Sequence, residues 1–269
     1  MGKVAALISG KGGTGKTSLS ANLAAALSLM GQKTIVIDGD AGLRNLDLLF
    51  ALEDKIKGDF GQVIKGQIKA EEAIMSSDSF PGLDILPAAS QGHKFPVFET
   101  TELIRKFKNQ YDWVIIDCPA GLGDFFRIAV NQADLLICVV NPDIASVQNG
   151  RKALAEARQH SKAEPFFVLN KVEAELLETG QIMSLEAIAS ILPAVLLGLI
   201  PYDLGFLKAA NLGVLLMSND EVAATVAIRR IARRLLGERV KIIVPRAEKK
   251  ENQESQEKGF LAWLKKSFK

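Results

Sequence analysis

Residues 10–17 combine residue types and spacing that could bind phosphate: they read GKGGTGKT and fit G-x-x-x-x-G-K-[ST]. A short apolar run precedes them and an amphipathic stretch follows, which is the strand-to-helix context that this pattern requires. The glycines permit positive φ angles and close backbone approach, so successive N–H groups and a helix N-terminus can bind phosphate oxygens. Lys16 is predicted to reach the β- and γ-phosphates of a nucleotide, and the Thr17 hydroxyl to ligate Mg²⁺. The alternative is a glycine-rich turn that binds no nucleotide.

Strand and helix patterns alternate along the chain and would position this loop. The predicted helices are Lys16–Met30, Glu99–Asn109, Ser146–Gln159 and Glu221–Leu236, and the predicted strands are Val4–Ser9, Thr34–Asp38, Leu83–Leu86, Trp113–Asp117, Leu135–Asn141, Phe166–Asn170 and Val195–Ile200. This alternation predicts an α/β fold, with a mostly parallel sheet flanked by helices on both faces. Ligands bind such sheets beyond the carboxyl ends of the strands. Polar residues and glycines cluster at those predicted ends, at residues 9–10, 38–40, 117–119 and 170–171.

The composition excludes several classes of protein. The 269 residues carry 33 Lys and Arg against 31 Asp and Glu, a net charge of +2, which argues against a surface built mainly for nucleic acid. The two cysteines, Cys118 and Cys138, form neither a disulfide framework nor a paired metal motif. No basic region precedes the first apolar run, and the longest apolar runs are too short to cross a bilayer. We therefore expect a soluble, cytoplasmic body.

The composition changes after Pro245 and divides the chain into three predicted parts. Residues 1–245 form the α/β domain, residues 246–258 are charged and predict a flexible linker, and residues 259–269 read GFLAWLKKSFK. On a helix, the apolar side chains of the last part share one face and the lysines take the other: Phe260, Leu261, Trp263, Leu264 and Phe268 against Lys265, Lys266 and Lys269. This pattern predicts a helix that lies in an anionic membrane surface. Docking on the protein's own core, or in a partner's groove, are the alternatives.

The lysine directly after the first glycine of the loop, Lys11, has no role in an ordinary phosphate loop. Together with DGDAGLRNLD at residues 38–47 and DCPAG at residues 117–121, it resembles the deviant Walker A loop and the two switch segments of the MinD/ParA family of ATPases. The resemblance implies that Lys11 reaches across a homodimer to the partner's nucleotide. It implies that Asp40 orients the attacking water and that Asp117 holds Mg²⁺ through water. Asp38 could instead be a simple helix cap.

The resemblance also implies a full set of site residues. Lys11, Lys16, Asp40 and Asn45 would be catalytic, Asn45 lying beside the nucleotide in the active dimer, and Thr17, Asp40 and Asp117 would form the metal site. The nucleotide would be bound by Gly10, Lys11, Gly12, Gly13, Thr14, Gly15, Lys16, Thr17 and Ser18 of the loop. Asn170 would contact adenine, and Pro201, Tyr202 and Asp203 would lie on the other side of the base.

The function implied by the resemblance is that of the MinD branch of the family. That function is a slow ATPase that dimerises with ATP and Mg²⁺, attaches to the inner membrane through residues 259–269 and is released on hydrolysis during septum site selection. Regulatory partners of the MinC and MinE type are implied, and nucleic acid is not. MinD members usually carry an acidic S-x-V-R-D-x-D-R stretch after the Asn-Pro pair, whereas residues 146–152 read SVQNGRK and lack both acids. This difference weakens the expectation of a standard MinC or MinE partner.

Other interpretations of the same loop are open. A ParA-type DNA- or cargo-partitioning ATPase could use arginines at helical spacing to contact phosphates: Arg229, Arg230, Arg233 and Arg234. An electron-transfer or cluster-carrier protein would need cysteines that bridge a dimer or a CxxC motif, and the sequence has no such pattern. A tyrosine kinase with this type of loop would need a cluster of tyrosines, which the sequence also lacks. A flagellar-number regulator usually begins with an extension, for which a loop at residue 10 leaves no room. A non-catalytic nucleotide-binding adaptor is disfavoured, because the residues that hydrolysis would use are intact: Lys16, Thr17, Asp40 and Asp117.

Overall fold

The aliphatic runs of the sequence form the strands of one sheet, described here from a computed structural model that covers residues 1–41, 45–90, 94–219 and 222–247. The strands are β1 (Lys3–Ile8), β2 (Thr34–Asp38), β3 (Met75–Ser76), β4 (Leu83–Leu86), β5 (Trp113–Asp117), β6 (Leu135–Val140), β7 (Glu164–Val172) and β8 (Val195–Pro201). The helices are α1 (Lys16–Leu29), α2 (Asn45–Leu49), α3 (Phe60–Ile64), α4 (Ala70–Ala73), α5 (Val97–Gln110), α6 (Asp124–Gln132), α7 (Ile144–His160), α8 (Ala174–Glu178), α9 (Leu185–Ile191), α10 (Gly205–Asn211) and α11 (Ala223–Leu235). Short 3-10 turns lie at Glu53–Lys55 and Leu216–Ser218.

The strand order is β3-β4-β2-β5-β1-β6-β7-β8, and every pair is parallel except β3 with β4. Strand β1 lies between β5 and β6, so the loop that follows it opens at the centre of the sheet. Because all the parallel strands end at the same edge, the residues after β1, β2, β5, β6, β7 and β8 meet there. This is the edge at which open α/β sheets bind ligands.

Two apolar layers cover the sheet, one on each face. Along β1, Val4, Ala6 and Ile8 face one layer and Ala5 and Leu7 face the other, as the two-residue period of a strand requires. The first layer is completed mainly by α5, α6 and α7, and the second by α1 and α11. The predicted α/β fold, with a mostly parallel sheet between two helical layers, is confirmed.

The sequence patterns found the long elements and missed the short ones. All seven predicted strands and four predicted helices are present, with ends that differ by a few residues. Strand β3 has only two residues, too few to show a period, and the short helices between the main strands were not predicted individually. The predicted start of the last helix at Glu221 lies outside the described residues, as does nearly all of the predicted linker and the whole predicted membrane helix. Among the described residues, no helix is both long enough and apolar enough to span a membrane.

Both cysteines are buried in the core, and neither forms a disulfide. Burial raises the pKa of each thiol, Cys118 and Cys138, to about 12. Cys118 directly follows β5, and Cys138 lies within β6. Burial therefore favours the protonated thiol over the thiolate at both positions.

The segment after α11, residues 238–247, forms a strap along the exposed edge of the sheet at β8. Arg234 holds its start, donating to the carbonyls of Val240 and Lys241 at 2.8 and 2.7 Å and to that of Leu197 in β8 at 2.9 Å. The strap then follows β8 toward its carboxyl end, where the Ala247 N–H donates to Glu178 of α8 at 3.0 Å. The described chain therefore ends beside α8, the helix that follows β7.

Arg234→Ala is expected to destabilise this edge, because three backbone carbonyls lose a charged donor at once. Hydrogen bonds from charged groups contribute about 1.5–3 kcal/mol each when well buried, and less here because the guanidinium is partly exposed. We expect a lower melting temperature and faster tryptic cleavage at Lys241 and Arg246. Arg233→Ala is the matched control, since its exposed ion pair with Glu238 contributes little. Equal melting and cleavage in the two variants would contradict the role given to Arg234.

Candidate functional site

The loop of residues 10–15 joins β1 to α1, and two of its glycines are required by the fold. Gly15 is the N-cap of α1 with φ 86°, and a Cβ there would lie 2.3 Å from the Asn170 side chain. A Cβ on Gly10 would lie 2.1 Å from the backbone of Asn149 in α7. Contact this close leaves no room for a Cβ, and glycine adopts positive φ without steric cost. The backbone is thus shaped as a phosphate loop at the N-terminus of a helix of 14 residues.

Lys16, Thr17 and Asp117 meet in a buried polar cluster beneath this loop. The Lys16 ammonium donates to Asp117 Oδ1 and the Thr17 hydroxyl to Asp117 Oδ2, each at 2.6 Å. Ser20, one helical turn after Lys16, also donates to Asp117 Oδ1 at 2.9 Å. Asp117 is fully buried and Lys16 nearly so, so these three donors replace the hydration that the carboxylate loses in the interior.

The donors in this cluster suit a nucleotide-bound Mg²⁺. Thr17 offers a hydroxyl oxygen and Asp117 a carboxylate, which are the hard oxygen ligands that Mg²⁺ prefers. Among the described residues, no group of three or more His, Cys, Asp or Glu side chains could hold a metal by itself. A phosphate-loop Mg²⁺ needs no such group, because water and phosphate supply most of its ligands. When bound, the ion would offset the negative charge of the β- and γ-phosphates.

Asp38 and Asp40, at the end of β2, play different parts. Asp38 is fully buried and accepts from the backbone N–H groups of Asp40 at 3.0 Å and Leu46 at 3.2 Å, so it ties the end of β2 to the first turn of α2. Burial, with Asp117 close by, raises its pKa to about 7. The capping role considered for Asp38 is thus observed. Asn45 is the first residue of α2.

Asp40 is only partly buried, at the mouth of the site. Burial raises its pKa, Lys16 lowers it and Asp117 raises it, so its carboxyl group lies within electrostatic range of the cluster. A partly desolvated carboxyl group close to the Lys16 ammonium is suited to orient a water molecule at the phosphate end of the site. That role, and its place in the metal site, remain predictions.

Lys11 points away from the cluster and pairs within its own chain. Its ammonium lies 3.2 and 3.3 Å from the two carboxylate oxygens of Asp143, and the side chain is 35% exposed. Asp143 also caps α7, accepting from the Ser146 N–H at 2.7 Å. Asp143 is therefore fixed in position by the helix that it caps, whereas the partly exposed Lys11 side chain can rotate away from it.

The residues predicted around the base lie along the same sheet edge. Asn170 at the end of β7 donates through its amide to the Thr14 carbonyl at 2.8 Å, so it contacts the loop itself. Pro201 ends β8, the Tyr202 N–H donates to the Val172 carbonyl at 3.0 Å, and Asp203 accepts from Gly205 at 2.7 Å. Burial raises the pKa of Asp203. The half-exposed Tyr202 leaves a ring available to a ligand.

Sequence reasoning missed three residues of this site. Ser20 could have been found from its spacing, since a residue four after Lys16 lies on the same helix face. Asp143 follows the end of β6 and so belongs to the ligand-binding edge, but nothing local marks it as the partner of Lys11. The sequence places Lys171 at the end of a predicted strand but gives it no role, whereas in the structure its ammonium donates to the Gly13 carbonyl at 2.8 Å.

Comparisons with known proteins identify the family of this chain. A family model described as an AAA domain matches residues 2–164. The septum site-determining protein MinD of Bacillus subtilis is 35% identical over 272 residues, covering 100% of this chain and 98% of that protein. A chain of the MinC:MinD cell division protein complex of Aquifex aeolicus is 32% identical with a TM-score of 0.85, covering 91% of this chain and 100% of that one. MinD of Pyrococcus horikoshii complexed with Mg-ADP is 28% identical with a TM-score of 0.79, covering 89% of this chain and 100% of that one.

The resemblance carried by Lys11 and the two switch segments is thereby confirmed at the level of the family. The family model spans more than half of the chain, and the Bacillus relative matches it from end to end. The parallel sheet and the loop between β1 and α1 are shared with P-loop NTPases. The chain therefore belongs to the MinD family of septum site-determining P-loop ATPases.

Proposed function

We propose that this chain is an ATP-dependent membrane switch in the placement of the division septum. With ATP and Mg²⁺ it forms a homodimer, the dimer attaches to the cytoplasmic face of the inner membrane through residues 259–269, and hydrolysis releases it. The observation that carries the proposal is the contrast between two lysines of one loop: Lys16 is buried on Asp117, whereas Lys11 is partly exposed and directed away from its own cluster.

The Lys16–Asp117 pair supports a nucleotide-dependent change within each protomer. For Lys16 to bind phosphate, its ammonium must leave Asp117, to which it donates at 2.6 Å. The Thr17 hydroxyl can offer a lone pair to the metal while its proton stays on Asp117. Asp117 then loses the Lys16 ammonium, and the ion that it would hold through water would have to compensate for that lost charge. Binding of nucleotide without Mg²⁺ should therefore be weak.

The Lys11–Asp143 pair supports dimerisation as the second step. An exposed ion pair of this kind contributes about 0–1 kcal/mol, so little free energy holds Lys11 in its own protomer. A partner's phosphates carry more negative charge than one carboxylate and are better shielded from water in a closed interface. Lys11 can therefore exchange Asp143 for the partner's nucleotide, and it can do so only when that nucleotide is present. ATP binding and dimerisation become linked.

The strap supports membrane attachment of the dimer. Its end at Ala247, held by Glu178, lies at the nucleotide edge of the sheet. Joining two protomers through that edge brings their two tails to one side, where both can reach the same surface. A second amphipathic helix on one particle acts at a high effective concentration and raises avidity strongly.

Asp40→Ala is expected to lower hydrolysis by about 100-fold or more while leaving nucleotide binding intact, since a positioned carboxylate that assists proton transfer contributes that much. The dimer should then persist on ATP and stay on liposomes. Turnover is measured by phosphate release, and dimerisation by light scattering. Asp38→Ala serves as the contrast: its carboxylate holds two backbone N–H groups, so its loss should lower the melting temperature. Unchanged turnover in Asp40→Ala would exclude the water-orienting role.

The charge on the surface of α7 indicates the charge expected on the contact surface of the regulatory partner. Arg151 and Lys152 are exposed where MinD members carry an acid and an arginine, and Asn149 stands where the other acid is usual. We propose a partner of the MinC or MinE type whose contact surface is acidic at this point. ATPase assays with anionic liposomes, combined with capture of partners on the Asp40→Ala dimer, test the function as a whole. Stimulation by liposomes supports it, and stimulation by DNA alone would favour the ParA-type alternative.

The DNA-binding alternative is weakened by the structure of α11. Of its four arginines, Arg234 is engaged with three carbonyls of the strap and β8, and Arg233 pairs with Glu238 at 2.6 Å. These two side chains have partners within the chain. A phosphate-binding face on this helix would therefore have to work without Arg234, whereas Arg233 could exchange its exposed pair with Glu238 for a phosphate.

A further inference from the structure

The backbone changes direction at Lys171, near the end of β7. Lys171 has φ 57°, a left-handed conformation that is uncommon for a residue with a side chain. The pairing of β7 with β8 also shifts register between Leu169 and Val172. Left-handed residues other than glycine cost of order 1 kcal/mol or more and persist only where the surroundings impose them.

The reversal brings two neighbouring side chains to the same loop. Along a regular strand, consecutive side chains point to opposite faces. Here Asn170 Nδ2 donates to the Thr14 carbonyl and Lys171 Nζ to the Gly13 carbonyl, both at 2.8 Å. Two consecutive residues of β7 therefore donate hydrogen bonds to two consecutive carbonyls of the phosphate loop.

Holding these carbonyls also fixes the N–H groups that would bind phosphate. The carbonyl of one residue and the N–H of the next belong to a single rigid peptide plane and point in opposite directions. With the Gly13 carbonyl turned toward Lys171, the Thr14 N–H points the other way, and the same holds for the Thr14 carbonyl and the Gly15 N–H. The loop's donors are thus oriented before any nucleotide arrives, and its carbonyl dipoles are kept away from the anion.

We propose that Lys171 is a positioning residue for phosphate binding. Together with Asn170 it binds the Gly13 and Thr14 carbonyls on the side of the loop opposite the N–H groups, an arrangement called the clip below. Its ammonium binds a loop carbonyl rather than the nucleotide. The inference rests on the proposed binding of ATP and adds a residue to that site. Asn170 alone could hold only one of the two peptide planes, since its amide donates to Thr14.

The test compares Lys171→Gly with Lys171→Arg by calorimetric titration with Mg-ADP. Glycine removes the whole lysine side chain with its ammonium, and its freedom from left-handed strain offsets the entropy that it adds to the unfolded chain, so the nucleotide-free protein should melt close to the wild type. We expect the Kd for Mg-ADP to rise about three- to tenfold in Lys171→Gly, as for loss of one charge-assisted hydrogen bond that is partly exposed to water. Lys171→Arg, which keeps a cationic donor, should bind within about twofold of the wild type.

The possible outcomes separate the clip from other roles of Lys171. A lower melting temperature in Lys171→Gly with an unchanged Kd would show a purely structural residue and overturn the proposal. Equal Kd and equal melting would overturn it as well. An ammonium that touched phosphate directly would make the loss in Lys171→Gly shrink steeply with added salt, and that result would also overturn the clip. Failure of the wild type itself to bind Mg-ADP would overturn the proposed ATPase function and the clip together.

Discussion

Replacing Lys11 with alanine is expected to abolish the ATP-dependent dimer while leaving the fold and nucleotide binding by the monomer in place. The side chain is partly exposed and pairs only loosely, at 3.2 Å, with Asp143. Its loss should therefore change the melting temperature of the nucleotide-free protein little, because exposed ion pairs contribute about 0–1 kcal/mol. Size-exclusion chromatography with light scattering, in Mg-ATP and in Mg-ADP, measures the dimer.

Lys16→Ala is expected to fail in a different way. Its removal leaves the fully buried Asp117 without its cation, and loss of one partner from a buried pair costs about 3–5 kcal/mol. The variant should melt at a clearly lower temperature even without nucleotide, and it should lose both nucleotide binding and dimerisation. The two lysines of one loop are thus told apart by a thermal melt of the nucleotide-free proteins.

Asp143→Asn is the matched control for Lys11. Asparagine can still cap α7, so the helix should survive, but it no longer carries the charge that holds Lys11 in its own protomer. This variant should dimerise with ATP at least as readily as the wild type. A Lys11→Ala protein that dimerised normally with Mg-ATP would refute the transfer of Lys11 to the partner's nucleotide.

Removing residues 259–269 is expected to abolish ATP-dependent sedimentation with anionic liposomes. The predicted helix offers five apolar side chains, whose full burial would contribute at most ~8–15 kcal/mol, and burial at an interface is partial. Ordering the roughly ten residues costs ~1 kcal/mol or more each, and each lysine adds about 1 kcal/mol at an anionic surface. The sum is marginal for one helix, so attachment should need the two helices of a dimer.

Two substitutions in this segment refine the test. Trp263→Glu should weaken sedimentation nearly as much as the truncation, because it places a charge within the apolar face. Lys266→Glu should weaken binding mainly to anionic lipids, through lost surface attraction. The alternative, a helix that docks on the protein's own core, predicts a lower melting temperature for the truncated chain and unchanged liposome binding. Truncated protein that still sediments with lipid only in ATP would exclude this segment as the membrane anchor.

The sequence by itself determined the parts of this protein whose signals are local. The aliphatic runs set the strands because buried parallel strands require them, and the glycine pattern of residues 10–17 set the phosphate loop because a tight turn into a helix requires it. Lys16, Thr17 and Asp117 could be assigned from the sequence alone, since each lies at a fixed offset within its own motif. The C-terminal helix is likewise predicted from a period that ten residues are enough to display.

Only the tertiary structure decided which of these side chains meet. Lys16 and Asp117 are 101 residues apart in the chain, Lys11 and Asp143 are 132 apart, and Lys171 and Gly13 are 158 apart. These contacts depend on the strand order, which places β5, β6 and β7 beside or near β1, and no local period encodes that order. The left-handed turn at Lys171 is equally non-local, because its strain is supported by contacts to the loop and to β8. Local backbone preferences select elements, whereas packing of the two apolar layers selects the neighbours that make the site.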